Sequence, residues 1–328
     1  MVAAQSAFPF VYPVKRGKLL SLMPRVRISR RRFLRTSLIA SAMPALAGRT
    51  VAIEAAAGET VIDIHQHTHY SGRSDDQLRA HQQAMGITRT VLLPAGRLYG
   101  LDADCGGNST VVKLAGEYPG EFVFFANEIT DIPEARAEIS SFLKRGAIGI
   151  GEQKFRVASD SPAFWEIAAV AQDFGVPILM HFWEGDYNTG FDRFHKTLEK
   201  FPRVNFIGHA QTWWGNIDRK HNQKVMYPTG PVTPGGITDR LLSDYPNMFG
   251  DLSAGSGLNS LLRDEEHTRG FLDRHQNKLM FGSDCNDLIG RGPGCQGAQI
   301  LAAVRRLAPS RGVTQKLLAG NAARLLKL

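Results

Sequence analysis

Eight short apolar runs, spaced 25 to 44 residues apart, constrain the fold of this chain more than any other feature. They are Val61–Ile64, Thr90–Leu93, Phe122–Ala126, Ala147–Ile150, Val176–Met180, Val204–Ile207, Met248–Leu252 and Leu279–Gly282. Each gap is long enough for a helix and two loops, and most contain a helical pattern. The helical pattern is clearest over Asp131–Lys144 and Pro162–Phe174, where Phe164, Ile167, Ala168 and Ala171 fall on one face. Runs of this kind, buried on both sides and alternating with helices, indicate a parallel sheet. Eight of them predict a (β/α)8 barrel. An open doubly wound sheet is the rival, but no G-x-G-x-x-G follows the first run. The 44-residue gap after the sixth run predicts a long loop there, rich in Gly, Pro and aromatics and read as a substrate lid.

The ends of these runs carry residues of metal-ligand type. The first ends in Asp63-Ile64-His65-Gln66-His67, and strict alternation puts Asp63, His65 and His67 on one face. The fifth run ends in His181, the sixth in His209, and the eighth in Gly282-Ser283-Asp284. C-terminal strand ends of a barrel converge on one cavity, so groups over 200 positions apart can meet one ion. After the fourth run, Glu152 and Lys154 share parity, so both are expected to face that cavity. Asp63 is expected to orient a ligating His or to cap the strand, and Asp251 to touch substrate or simply open a loop. Cys285 adjoins Asp284 but, by alternation, should point away from the metal. His69 reads as a rim or exposed residue, while His81, His195, His221, His267 and His275 read as solvated. Trp183 and Glu184 are expected to line the pocket, with Trp183, Trp213, Trp214 and Lys154 as substrate contacts.

Residues 1–47 stand apart. Ser29-Arg30-Arg31-Arg32-Phe33-Leu34-Arg35 leads into an uncharged stretch ending in Ala45-Leu46-Ala47, the pattern of a twin-arginine export signal. The uncharged run is shorter than the ~20 residues of a membrane span, so no stable membrane insertion is expected. This segment holds nine of the 39 Lys and Arg and no acid, which leaves 30 basic against 31 acidic residues, a net −1. The basic pI therefore belongs to the signal, and nucleic-acid binding loses its support. The expected organisation is signal 1–47, linker 48–59 and barrel 60–328, with delivery to the periplasm through the twin-arginine machinery. Cys105, Cys285 and Cys295 form no C-x-x-C pair, so neither a zinc ribbon nor a disulfide scaffold is indicated. Cargo on this route folds in the reducing cytoplasm, which fits a fold that does not depend on disulfides. Homo-oligomerisation is left open.

Asp-x-His-x-His on strand one, His on strands five and six, and Gly-Ser-Asp on strand eight resemble the amidohydrolase superfamily. Within it, the chain is similar to the amidohydrolase-related family of metal-dependent hydrolases with a TIM-barrel fold. Gly320-Asn321-Ala322-Ala323-Arg324-Leu325-Leu326 resembles that family's C-terminal helix. The resemblance spans roughly residues 60 to 328 and says little of substrate. It implies that His65, His67, Glu152, His181, His209 and Asp284 hold one or two divalent ions, zinc above all. Family members place a bridging carboxylate or a carbamylated lysine on strand four, and Glu152 is favoured as that ligand over Lys154.

The chemistry so implied is hydrolysis of an ester, lactone or amide bond in a small molecule. A bound ion acidifies water and polarises a carbonyl, Asp284 shuttles the proton, and His209 or His181 binds the carbonyl oxygen or the metal. One rival is a metal-dependent non-oxidative decarboxylase of the same family, a branch that generally lacks a bridging carboxylate on strand four. The other is an exported barrel that binds without turnover.

Overall fold

A computed structural model describes residues 58–96 and 105–328. The signal and most of the linker read from the sequence lie outside them. Eight parallel strands alternate with helices: β1 Ile62–Gln66, β2 Arg89–Leu92, β3 Phe122–Phe124, β4 Ile150–Gln153, β5 Ile178–His181, β6 Phe206–His209, β7 Met248–Asp251 and β8 Leu279–Met280. The helices are α1 Asp75–Met85, α2 Asn108–Glu117, α3 Ala135–Lys144, α4 Pro162–Phe174, α5 His195–Lys200, α6 Ala210–Gly215, α7 Ile237–Asp244, α8 Ala254–Leu262, α9 Glu265–Arg274, α10 Gln296–Leu307, α11 Arg311–Gln315 and α12 Asn321–Leu326.

Regular ladders join β1-β2-β3 and β4-β5-β6-β7-β8, each in sequence order. Backbone hydrogen bonds cross both seams between them. Ile148 N donates to Phe124 O, Ala126 N to Gly149 O and Gly151 N to Ala126 O, each at 2.9 Å, while Ile64 N donates to Phe281 O at 3.1 Å. The architecture is the (β/α)8 barrel expected from the spacing of the apolar runs.

Two layers of core follow from the alternation of side chains. Facing inward are Ile62, Ile64, Val91, Leu93, Phe125, Leu179, Ile207, Phe249 and Met280, packed with Ala322 and Leu326 of α12. Asn321 fixes that helix by donating to Gln276 O and Leu279 O, beside the start of β8. The second, larger cluster lies between sheet and helices and includes Phe164, Ile167, Ala168 and Ala171 of α4. Local signals set the helix ends. Ser161 caps α4 through Phe164 N, Pro162 occupies the first turn, and Gly175 closes it at φ 66°.

The segment from β6 to β7 is not one continuous loop. It contains α6 and α7, and residues 216–236 between them hold no helix or strand. Trp213 and Trp214 lie in α6, 0 % and 3 % exposed, inside the outer core rather than on a lid. Trp213 packs against Phe182 and Phe191, with ring centroids 6.3 and 5.8 Å away. Gly208 makes room for it: a Cβ there would lie 2.4 Å from the indole. Trp214 Nε1 donates to Asp251 O at 3.0 Å. Both tryptophans bury large apolar area under the barrel wall, so their assignment as substrate contacts is corrected.

Candidate active site

At the C-terminal strand ends, the inward positions that carry Leu179, Ile207 and Phe249 continue two residues on as His181, His209 and Asp251. The apolar floor thus gives way to a polar rim along single faces. His181 and His209 are direct partners in the β5–β6 register.

Strand β1 does not follow strict alternation. Its pairing with β2 shifts between Asp63 and Gln66. Asp63 therefore turns toward α1 and β8, accepting from Gln82 Nε2 (3.0 Å), Ser283 N (2.9 Å), the Ser283 hydroxyl and His65 N (3.0 Å). It clamps β1 to β8 on the helix side instead of sharing the face of His65 and His67. Beside it, Gln66 donates to Ser283 Oγ at 2.7 Å and Cys285 O at 2.9 Å, and buried Arg73 donates to Gln66 Oε1 at 2.5 Å.

His65, His67, Glu152, His181 and His209 are all buried and converge, with Asp284 beside them. Three overlapping groups have their ligand atoms within 4.8 Å of one another: His65, His67 and Glu152; His65, His209 and Asp284; and Glu152, His181 and His209. Glu152 serves both ends. Its Oε2 lies 3.6 and 3.5 Å from Nε2 of His65 and His67, and its Oε1 lies 2.5 Å from His181 Nδ1 and 3.7 Å from His209 Nε2. Asp284 Oδ1 stands 3.7 and 3.6 Å from the Nε2 atoms of His65 and His67, and Oδ2 stands 3.5 Å from that of His209.

Hydrogen bonds on the far sides of the rings fix their tautomers. His67 Nδ1 donates to Leu93 O and His65 Nδ1 to Asp251 Oδ2, both at 2.7 Å. His209 Nδ1 meets Ser253 Oγ at 3.0 Å and Asp251 Oδ2 at 3.2 Å. Each Nε2 is thereby left to the cavity with its lone pair. The Nε2 atoms of His65 and His67 lie 3.2 Å apart. Two lone pairs at that distance repel unless a cation or a proton lies between them. Asp284 Oδ1 is buried and has no hydrogen-bond partner. A buried oxygen left unpaired is costly, and a cation relieves both defects. The donor set therefore fits divalent metal.

Charge points the same way. Burial disfavours the ionised forms of Glu152 and Asp284, yet the neighbouring imidazoles hold both well below the usual carboxylate range, His181 foremost for Glu152 and His65 for Asp284. Burial likewise opposes Asp251, and His65 and His209 hold it at about 2. The reverse side of that balance is His65: burial works against its protonation, but Asp284 and Asp251 raise it well above free imidazole. Burial lowers His181 to about 4 against the pull of Glu152, so it stays neutral near pH 7. Glu152 and Asp284 thus face the cavity ionised, with Asp251 ionised behind the rings of His65 and His209. That is an electrostatic environment for cations.

Around this centre, Asn127 Nδ2 donates to Pro94 O at 3.0 Å and Glu152 O at 2.7 Å, and Asn188 Nδ2 bridges Gln153 O and His181 O at 2.6 and 2.9 Å. Tyr70 packs edge-on to His67 at 5.2 Å, and the charge of Asp284, together with burial, raises its hydroxyl strongly. At the rim, Lys154 Nζ lies 5.3 Å from the Tyr187 ring, Trp183 lies 5.6 Å from the same ring, and Tyr187 stands edge-on to His181 at 5.7 Å. The Tyr187 hydroxyl is buried without a partner. Glu184 turns from the pocket and accepts from Gly190 N and Phe191 N at 2.9 and 3.2 Å.

Sequence reasoning left Asp251 undecided and missed Ser253, Tyr70 and Tyr187. The position of Asp251 at a strand end was a usable signal. Tyr70 follows β1 in a 3-10 turn after His69 in a left-handed conformation, where strand periodicity says nothing. His81 and His275, read as solvated, are 0 % and 4 % exposed, a second correction. His275 is held by Asp239 at 2.5 Å. Cys285 does point away from Asp284, toward Cys295.

Comparison with known proteins places this geometry in context. The family model described as amidohydrolase matches residues 62–328. No curated protein matches. Solved structures share the fold at low identity. An uncharacterized TIM-barrel protein from Bordetella bronchiseptica is 18 % identical, covering 82 % of this chain and 98 % of its own, with a TM-score of 0.56. A probable 2-pyrone-4,6-dicarboxylic acid hydrolase from Acinetobacter baumannii, solved with citric acid bound, is 12 % identical over 82 % and 100 % at 0.55. A 2,6-dihydroxybenzoate decarboxylase from Rhizobium is 14 % identical over 82 % and 99 % at 0.51.

Proposed function

The chain belongs to the amidohydrolase family, and from that premise we propose that it is a metal-dependent hydrolase of an ester, lactone or amide bond in a small organic molecule. One observation carries this reading: Glu152 reaches His65 and His67 with one oxygen and His181 and His209 with the other. A carboxylate so placed suits two ions, with Asp284 completing the first set, and zinc suits this mixture of imidazole and carboxylate. When bound, such ions supply Lewis acidity and make water a stronger acid.

The chain's own groups do the rest. Asp251 keeps His65 and His209 turned toward the cavity through their Nδ1 atoms. Asp284 would accept a proton from the attacking water and return it to the leaving oxygen or nitrogen. The charge of Asp284 acts on the buried hydroxyl of the neighbouring Tyr70. His209 would bind the carbonyl oxygen or complete the second set. Lys154, Trp183 and Tyr187 form a rim suited to a ring or an anionic group, through stacking and through the Lys154 charge. The long segment at 216–236 is proposed as the wall or lid over that rim.

An ester, lactone and amide panel, run beside carbon dioxide release from aromatic and enoic acids, tests the proposal. Hydrolysis that chelation removes and zinc restores supports it. Carbon dioxide release without hydrolysis would establish the decarboxylase instead, and metal binding with neither would establish a binding barrel.

A further inference from the structure

Away from the active site, His81, Cys285 and Cys295 form a second metal-ligating cluster, and the geometry points to a structural zinc-type site that clamps the segment following Asp284. The three residues are 0 %, 3 % and 0 % exposed. They come from α1, from the residue after Asp284, and from the residue capping α10. Cys285 Sγ and Cys295 Sγ lie 3.8 Å apart, and Cys295 Sγ lies 3.4 Å from His81 Nε2. All three ligand atoms fall within 4.8 Å of one another.

Those edges match a tetrahedral ion. With Zn–S of ~2.3 Å and Zn–N of ~2.0–2.1 Å, tetrahedral angles place two sulfurs about 3.8 Å apart and sulfur and nitrogen about 3.5 Å apart. The sulfurs are too far apart for a disulfide bond of ~2.05 Å. Met85 Sδ, 3.7 Å from Cys295 Sγ, and Asp287 Oδ2, 4.0 Å from His81 Nε2, are the candidates for a fourth ligand. Met85 follows His81 by one helical turn, so both present the same face of α1 to the cluster.

The charge balance is favourable. On binding, both thiol protons leave to solvent, and the two thiolates neutralise a divalent cation inside the core. Arg73 braces the same segment, its Nη1 donating to Cys285 O at 2.8 Å and Asp287 O at 3.0 Å. The clamp therefore ties α1 and α10 to the chain immediately after Asp284. The ten-residue separation of the two cysteines is why no spacing motif announces it.

Exchange of Co2+ into the reduced full-length chain tests this independently of turnover, because a cobalt–thiolate bond gives a near-ultraviolet charge-transfer band that imidazole and carboxylate ligands do not. The band should saturate at one equivalent, survive in Cys105→Ser and in His65→Ala/His67→Ala, and disappear in Cys285→Ser/Cys295→Ser. Should the double serine variant fail to fold, alkylation of the wild-type chain decides. Zn2+ should slow modification of Cys285 and Cys295 at least tenfold and leave Cys105 unchanged. Absence of the band in wild type, its persistence without the two cysteines, equal alkylation with and without Zn2+, or isolation of a Cys285–Cys295 disulfide would each overturn the proposal.

Discussion

His65 and Asp251, 186 positions apart, share a 2.7 Å hydrogen bond between Nδ1 and Oδ2 in the fully buried mouth of the barrel. The same carboxylate also accepts from Ser253 Oγ at 2.7 Å and faces His209 Nδ1 at 3.2 Å. One residue of β7 thus sets the orientation of two imidazoles on β1 and β6. Asp251→Asn keeps the shape but removes the charge and one acceptor. Its metal affinity should fall by the ~10–100-fold typical of such outer partners, with the fold retained. Competition against a chromogenic chelator measures this; unchanged affinity would mean that Asp251 does not position the ligands.

The two tryptophans of α6 give a test of core against substrate role. Trp213→Ala should destabilise the chain by about 3–5 kcal/mol, the usual cost of removing a buried aromatic. Chemical denaturation of the purified variant reads the loss directly. A stable Trp213→Ala chain with a raised KM would restore the tryptophan to the substrate site.

Asp239 supplies a pH signature outside the active site. Burial opposes its ionisation, but the hydrogen bond from His275 and the charge of Arg274 prevail and hold it below the ordinary aspartate value. A depressed folded-state pKa contributes stability above the unfolded value of about 4, and that stability is lost as pH falls through the folded one. Wild type should therefore exceed Asp239→Asn in Tm at neutral pH, by roughly 2–4 °C for each ~1 kcal/mol, and the gap should close in acid. A gap independent of pH would contradict this pairing.

Residues 1–47 are proposed as a twin-arginine export signal. Arg30→Lys with Arg31→Lys should leave the precursor in the cytoplasm, since lysine lacks the planar fork of arginine. Cell fractionation tests it, and unchanged export of the double variant would refute it.

Much of the barrel was legible because its signals are local. Apolar runs of strand length, helical periodicity in Pro162–Phe174 and ligand-type residues at strand ends each follow from a few neighbouring positions. The misreadings came where register or tertiary packing intervened. The β1 shift rotates Asp63 away from His65, and no pattern in Asp63-Ile64-His65 announces it. Trp213 and Trp214 were judged by their neighbourhood of Gly and Pro, but α6 folds back at once and buries them. His81 occupies a polar helix whose inner face meets Cys295, a partner 214 positions away. Long-range partners of this kind leave no local trace.

The bridging position of Glu152 is the centre of the account, and metal content of Glu152→Gln against wild type tests it most directly. Glutamine keeps the length and one oxygen of the side chain but cannot offer two anionic oxygens to His65 and His67 on one side and His181 and His209 on the other. Elemental analysis of folded protein should show at least one equivalent of divalent cation lost relative to wild type, while the cobalt–thiolate band of the Cys285–Cys295 cluster stays unchanged. Equal metal content in the two proteins would contradict the account.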